Sequence, residues 1–86
     1  MKLKKGFVLR EVAGETVVVP AGDDLNFRGM ITLNDTAKTL WMALENETDM
    51  DGLVKALLGE FNVDEATARA GAEKFVEKLK GLNFLE

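Results

Sequence analysis

The chain of 86 residues contains no cysteine, histidine, serine or tyrosine. Without histidine and cysteine it lacks the imidazole and thiolate ligands that zinc and copper prefer. It also lacks the usual nucleophiles and the side chain best suited to proton transfer near neutral pH. Catalysis would depend on Asp, Glu, Lys, Thr or backbone groups alone. We therefore expect no enzyme activity, no metal site and no other cofactor.

Two pairs of carboxylates remain as candidates for acid–base chemistry, Asp23 with Asp24 and Asp49 with Asp51. The first pair lies in a predicted turn after Gly22, and the second lies at a predicted helix start. Carboxylates are common in both places, because they hydrogen-bond local backbone N–H groups. These positions favour turn and cap roles over catalysis.

Long apolar runs are absent as well. None approaches the roughly 20 residues that span a bilayer, and the basic N-terminus lacks the apolar core of a signal peptide. The absence of cysteine fits a reducing compartment. We therefore expect a cytoplasmic protein with no membrane partner, and residues 1–86 are long enough for one small domain.

Basic residues are outnumbered by acidic ones, 11 to 15, which gives the chain a net charge of −4, and the charges are unevenly placed. Residues 1–11 carry an excess of lysine and arginine, whereas residues 45–65 are strongly acidic, with Lys55 as their only base. An acidic surface is unfavourable against phosphates. The charge pattern therefore argues against nucleic acid as the partner.

The first third of the chain has the pattern of β-strands. Residues 7–12 and 15–20 predict two strands joined by a hairpin turn at Ala13-Gly14, where glycine accepts positive φ. Residues 25–33 predict a third strand, bent at Gly29.

Three helices are predicted after the strands. The first covers residues 35–46 behind the N-cap Asn34, and the second begins after Thr48. The third runs from the cap Asp64 to Lys80, with Gly81 in the left-handed position that ends helices. Strands followed by helices predict an α+β fold, and three of each suit a winged helix-turn-helix arrangement.

The predicted core includes an apolar stripe on the first helix. Its residues Ala37, Leu40, Trp41 and Leu44 have the i, i+3, i+4, i+7 spacing of one helix face. Trp41 is therefore expected in the core rather than at a ligand. The apolar tail, residues 82–85, is expected to pack back on that core.

Three segments carry a family resemblance: LNDTAKTLW (33–41), ENETDMDGLVKALLGEF (45–61) and VDEATARAGAEKFVEKLKGLNFLE (63–86). In order and spacing they resemble the PqqD-like family, also called recognition elements of ribosomally made, modified peptides. The similarity extends from about Phe7 to Phe84. One departure is Ala37, at a position where the family often has glycine; alanine is the better helix former.

The resemblance implies a peptide-binding chaperone without chemistry of its own. Such domains hold the leader of a precursor peptide as an added strand against the third strand, with the last helix as the opposite wall. They present it to a modifying enzyme, often of the radical S-adenosylmethionine class. The implied peptide-binding residues are the strand Met30, Ile31, Thr32 and Leu33, the apolar wall Ala72, Phe75, Val76 and Leu79, and the rim lysines Lys74 and Lys78, facing acidic leader residues.

Alternative interpretations remain open at this level. The two rim lysines could instead pair with Glu77 and Glu73 on a solvated helix. A DNA-binding winged helix is the main rival function, although the third helix has balanced charge where a recognition helix carries surplus Lys or Arg. A carrier domain needs a serine that is absent. A small dimerisation module, and a homodimer of the peptide-binding domain, also stay open.

Overall fold

The computed structural model of the protein describes residues 1–20 and 31–86, with Pro20 described by its backbone alone. Three strands precede three helices, which confirms the predicted α+β order. The elements are β1 (Phe7–Val12), β2 (Glu15–Pro20), β3 (Ile31–Leu33), α1 (Asp35–Leu44), α2 (Met50–Glu60) and α3 (Glu65–Gly81). The predicted turn at Asp23-Asp24, the bend at Gly29 and the start of the third strand lie outside the described residues.

The hairpin between β1 and β2 has the two-residue turn that the sequence predicts. Val12 pairs with Glu15, and both turn residues have positive φ, 53° at Ala13 and 81° at Gly14. Two successive positive φ values give the turn a twist that matches that of the flanking strands. Ala13 takes this conformation although a positive φ is unfavourable for a residue with a Cβ atom. The hairpin pairing therefore imposes the backbone conformation of Ala13.

The sheet is antiparallel with the order β1-β2-β3, so β3 lies at one edge. In the pairing of β2 with β3, Val18 is opposite Ile31 and Val17 is opposite Thr32. Val18 is fully buried against the helices. Opposed side chains share a face, so Ile31 and Leu33 face the helices and Thr32 faces away. Within the described residues, no strand pairs with the outer edge of β3.

Each helix begins with a side-chain cap. The Oδ1 atoms of Asn34, Asp49 and Asp64 accept hydrogen bonds of 2.7–2.8 Å from the backbone N–H three residues later. The helix α2 begins after Asp49, one residue later than predicted, because the extended backbone of Asp49 aims its carboxylate at the N–H of Gly52. The helix α1 ends at Leu44, two residues earlier than predicted.

The end of α3 also differs from the prediction. The left-handed residue is Asn83, with φ 62°, rather than Gly81, which is still helical. The N–H of Phe84 donates to the oxygen of Leu79 and that of Asn83 to the oxygen of Lys80, the two bonds of a Schellman motif. This turn directs Phe84 into the core, as expected of the tail, whereas Leu82, which was expected there too, is 44% exposed.

The core lies between the sheet and the three helices. Trp41 is 2% exposed and packs edge-on against Phe7 and Phe84, with ring centroids 5.7 and 6.3 Å apart. This confirms Trp41 as a core residue. None of the helices in the described ranges is long and apolar enough to cross a bilayer.

Candidate functional site

A groove of about 460 Å³ lies beside the β3 edge. Thr32 and Leu33 of β3 bound it on one side, and one face of α3 bounds it on the other. Its floor is apolar and includes Leu40 of α1 and Leu57 of α2, both buried in the core. The core therefore supports the groove directly, and its base is set by packed side chains.

One continuous face of α3 forms the helical wall of the groove. Its residues follow the spacing i, i+1, i+4, i+7, i+8 and i+11, which keeps them on one side of a helix. They are Thr67, Ala68, Gly71, Lys74, Phe75 and Lys78. Because α3 is a single helix of 17 residues, the positions of these groups relative to each other are fixed by the helix.

The structure separates the predicted wall residues. Phe75 is half-buried and lines the groove, together with the exposed Lys74 and Lys78. Ala72, Val76 and Leu79 are at most 4% exposed and belong to the core. They lie behind the wall, because the face of α3 that carries them is turned towards the sheet and the other helices.

The predicted strand residues have different environments. Met30 lies outside the described residues. Ile31 is half-buried and packs on the core, Thr32 is exposed at the edge, and Leu33 is buried at the base of the groove. Thr32 and Leu33 therefore reach the groove, whereas Ile31 supports it.

Several groove residues were missed by the sequence reasoning. Phe61 and Val63, in the connection between α2 and α3, line the groove, as do Thr67 and Gly71 of α3. The spacing of Thr67, Gly71, Lys74 and Lys78 is a helical stripe that a search for polar faces would have found. Phe61 gave no such signal, because it continues the apolar stripe of α2.

The only charged residues that line the groove, within the described part of the chain, are Lys74 and Lys78. Neither forms an ion pair with any described residue, so the alternative pairing with Glu73 and Glu77 is not observed. Although the chain has an excess of acids, no described acid lines the groove; Glu73 and Glu77 lie on the adjoining surface of α3, beside Gly71 and Lys74. The charged groups of the described groove lining are thus both cations.

Arg69, the remaining base near the middle of α3, does not line the groove. Its Nη2 donates to Oδ1 of Asp51 at 2.9 Å and lies 3.8 Å from Oε1 of Glu65. The hydrogen bond to Asp51, with the nearby negative charges, raises the pKa of Arg69 above its ordinary value. This pair links α3 to the first turn of α2.

The start of α1 provides neutral polar groups at the groove. The Oγ1 of Thr36 donates to Oδ1 of Asn34 at 2.9 Å, and both residues line the groove. The groove thus combines an apolar floor, neutral hydrogen-bonding groups and two cations. No set of three or more metal-ligating side chains occurs in residues 1–20 and 31–86. The groove, with its apolar floor, neutral hydrogen-bonding groups and two cations, is suited to binding an extended chain.

Comparisons with known proteins identify the family of the chain and a similar fold. The family model described as coenzyme PQQ synthesis protein D (PqqD) matches residues 15–85. A solved structure, TbiB1 in complex with the TbiA(beta) leader peptide, has a TM-score of 0.75 at 22% identity. The matched region covers 100% of this chain and 95% of the TbiB1 chain. At that identity the likeness shows a shared fold. No curated protein matches the chain significantly.

Proposed function

Because the chain belongs to the coenzyme PQQ synthesis protein D family, we propose that it is a non-catalytic chaperone for a ribosomally made precursor peptide. It binds the leader of that peptide as a strand added to β3 and presents it to a modifying enzyme. The similar structure TbiB1, which was solved with a leader peptide, supports a leader as the ligand.

The observation that carries this proposal is the groove between the outer edge of β3 and α3. An edge strand offers main-chain N–H and C=O groups to an extended peptide, and pockets beside it select alternate side chains. Since Ile31 and Leu33 face the helices, the peptide residues opposite them would face α3. The groove can thus pair with the backbone of the peptide along β3 and select its side chains against α3.

Charge indicates the kind of leader that fits. Lys74 and Lys78 are the charged groups of the groove within the described residues, and both are exposed and unpaired there. An acidic side chain on the leader would gain from both lysines, whereas a basic leader would be repelled. We therefore propose a leader with apolar residues for the floor and acidic residues for the rim.

The partner enzyme is proposed to be a peptide-modifying enzyme, of the radical S-adenosylmethionine class or another, acting in the cytoplasm. The pathway is PQQ synthesis or the synthesis of a related modified peptide. The chaperone itself is proposed to carry out no step of the chemistry, because the hydroxyl and amine groups of the groove come from Thr and Lys, and no His, Cys, Asp or Glu lines the described groove to activate them.

A DNA-binding function has less support. Arg69 of α3 is engaged by Asp51 and Glu65, and the exposed Glu73 and Glu77 lie on the same helix. A helix that enters the major groove normally carries a surplus of cations, whereas in α3 the glutamates lie beside the exposed Lys74 and Lys78 and offset their charge. Binding to duplex DNA is therefore expected to be weak and independent of sequence.

The test is an amide chemical-shift titration with the leader of a precursor peptide encoded beside the gene. Perturbations are expected at residues 31–34 and on the groove face of α3, with little change in the β1–β2 hairpin. Perturbations confined to the hairpin, or none with every short peptide encoded nearby, would contradict the proposal.

A further inference from the structure

Gly71 lies near the middle of α3, on the face that lines the groove. Glycine inside a helix lowers helix stability relative to alanine, since it has more backbone freedom to lose. An internal helical glycine therefore needs either a packing reason or a functional one.

The fold itself supplies no packing reason for Gly71. A Cβ atom added there would meet no other atom within 4 Å. Gly52 in α2 is the opposite case, because its added Cβ would clash with the Thr48 hydroxyl. The backbone of Gly71 is ordinary helix, without the positive φ of Gly6 and Gly14. Alanine would fit at position 71 in the peptide-free protein.

The groove supplies a functional reason. One turn away on either side, Thr67 and Phe75 line the same face of α3, so Gly71 leaves a gap between two side chains. At this gap the helix backbone itself is the groove surface. Glycine is the residue that permits close approach of another group to a backbone.

We propose that Gly71 forms a notch in the α3 wall that receives a bulky apolar side chain of the bound peptide. This inference rests on the proposed function and names a specificity-determining residue within it. The notch lies between Thr67 and Phe75, beside the small Ala68 and above an apolar floor, so an aromatic or branched aliphatic side chain fits its chemistry. A side chain at position 71 would occupy that volume.

The chain contains a matched control for this proposal. Gly59 lies in α2, is exposed, and would also place an added Cβ in open space, but it does not line the groove. Gly71→Ala and Gly59→Ala should both raise Tm by about 2–8 °C, because alanine restricts the unfolded chain. Only Gly71→Ala should weaken peptide binding, by about five- to a hundredfold, because the methyl group overpacks the filled notch.

The probe is a 12-residue peptide selected on the wild-type protein from a random display library and shown by amide shifts to bind at β3. A parallel selection on Gly71→Ala should enrich smaller residues at one peptide position. If neither a library peptide nor any short peptide encoded nearby binds wild type at β3, the proposed function fails and this inference fails with it. If wild type binds but Gly71→Ala binds equally tightly, the notch alone is disproved. A fall in Tm for Gly71→Ala, with a rise for Gly59→Ala, would show a structural role and also overturn it.

Discussion

The two working faces of α3 are built from adjacent residues. Gly71, Phe75 and Lys78 line the groove, and the residue that follows each of them, Ala72, Val76 or Leu79, is buried and does not line it. Successive residues in a helix are rotated by about 100°, so one step along the chain changes a groove position into a core position. Stability and binding are therefore assigned to neighbouring residues of the same helix.

The largest expected effect comes from the core face. Leu79 is 1% exposed, and Leu79→Ala should lower the free energy of unfolding by about 2–5 kcal/mol, through lost burial and the cavity left behind. A urea titration measures this change. The comparison fails if Leu79→Ala keeps wild-type stability and loses only peptide binding, because Leu79 would then belong to the groove.

The groove face should show the reverse behaviour. Lys74→Glu with Lys78→Glu should weaken binding of an acidic leader about tenfold, while the fold is retained, because two exposed rim charges contribute modestly and in the same sense. The effect should shrink as salt is added, since exposed charges are screened. Isothermal titration at low and high salt measures both.

The control for this charge reversal is Lys55→Glu with Lys80→Glu. It makes the same change in net charge and also places one glutamate in the last turn of α3, but neither residue lines the groove. Equal losses of affinity in the two double variants would show that net charge, and not the groove, controls leader binding.

Much of the fold could be predicted from the sequence because it depends on local signals. The strands Phe7–Val12 and Glu15–Pro20 have the predicted bounds, and Asn34 and Asp64 cap helices as predicted. Thr48 and Asp49 are adjacent residues that can both cap a helix, and the sequence predicted a start after Thr48, whereas Asp49 is the cap. That choice depends on the backbone conformation of each residue.

The site was harder to predict than the fold. An apolar residue on α3, such as Phe75 or Val76, has the same helical spacing whether it contacts the sheet or a groove. Only the packing of α3 against α2 and the sheet separates them. Gly71 was missed for a related reason, because its importance depends on the space around it and not on a side chain.

The smallest expected effect concerns Asp64, the N-cap of α3. This cap stabilises the helix that carries both the groove face and the core face. Hydrogen bonds from the side chain and the backbone N–H of Thr67 hold the pKa of Asp64 below its ordinary value. A carboxyl group with a lowered folded-state pKa stabilises the fold above its unfolded pKa of about 3.9, and this contribution is lost as pH falls through the folded pKa.

Asp64→Asn keeps a capping oxygen but cannot titrate. Urea titrations at pH 7 and pH 2.5 should therefore show a larger loss of stability for wild type than for Asp64→Asn. The other carboxylates are common to both proteins, so equal losses would mean that this cap does not contribute to the acid sensitivity of α3.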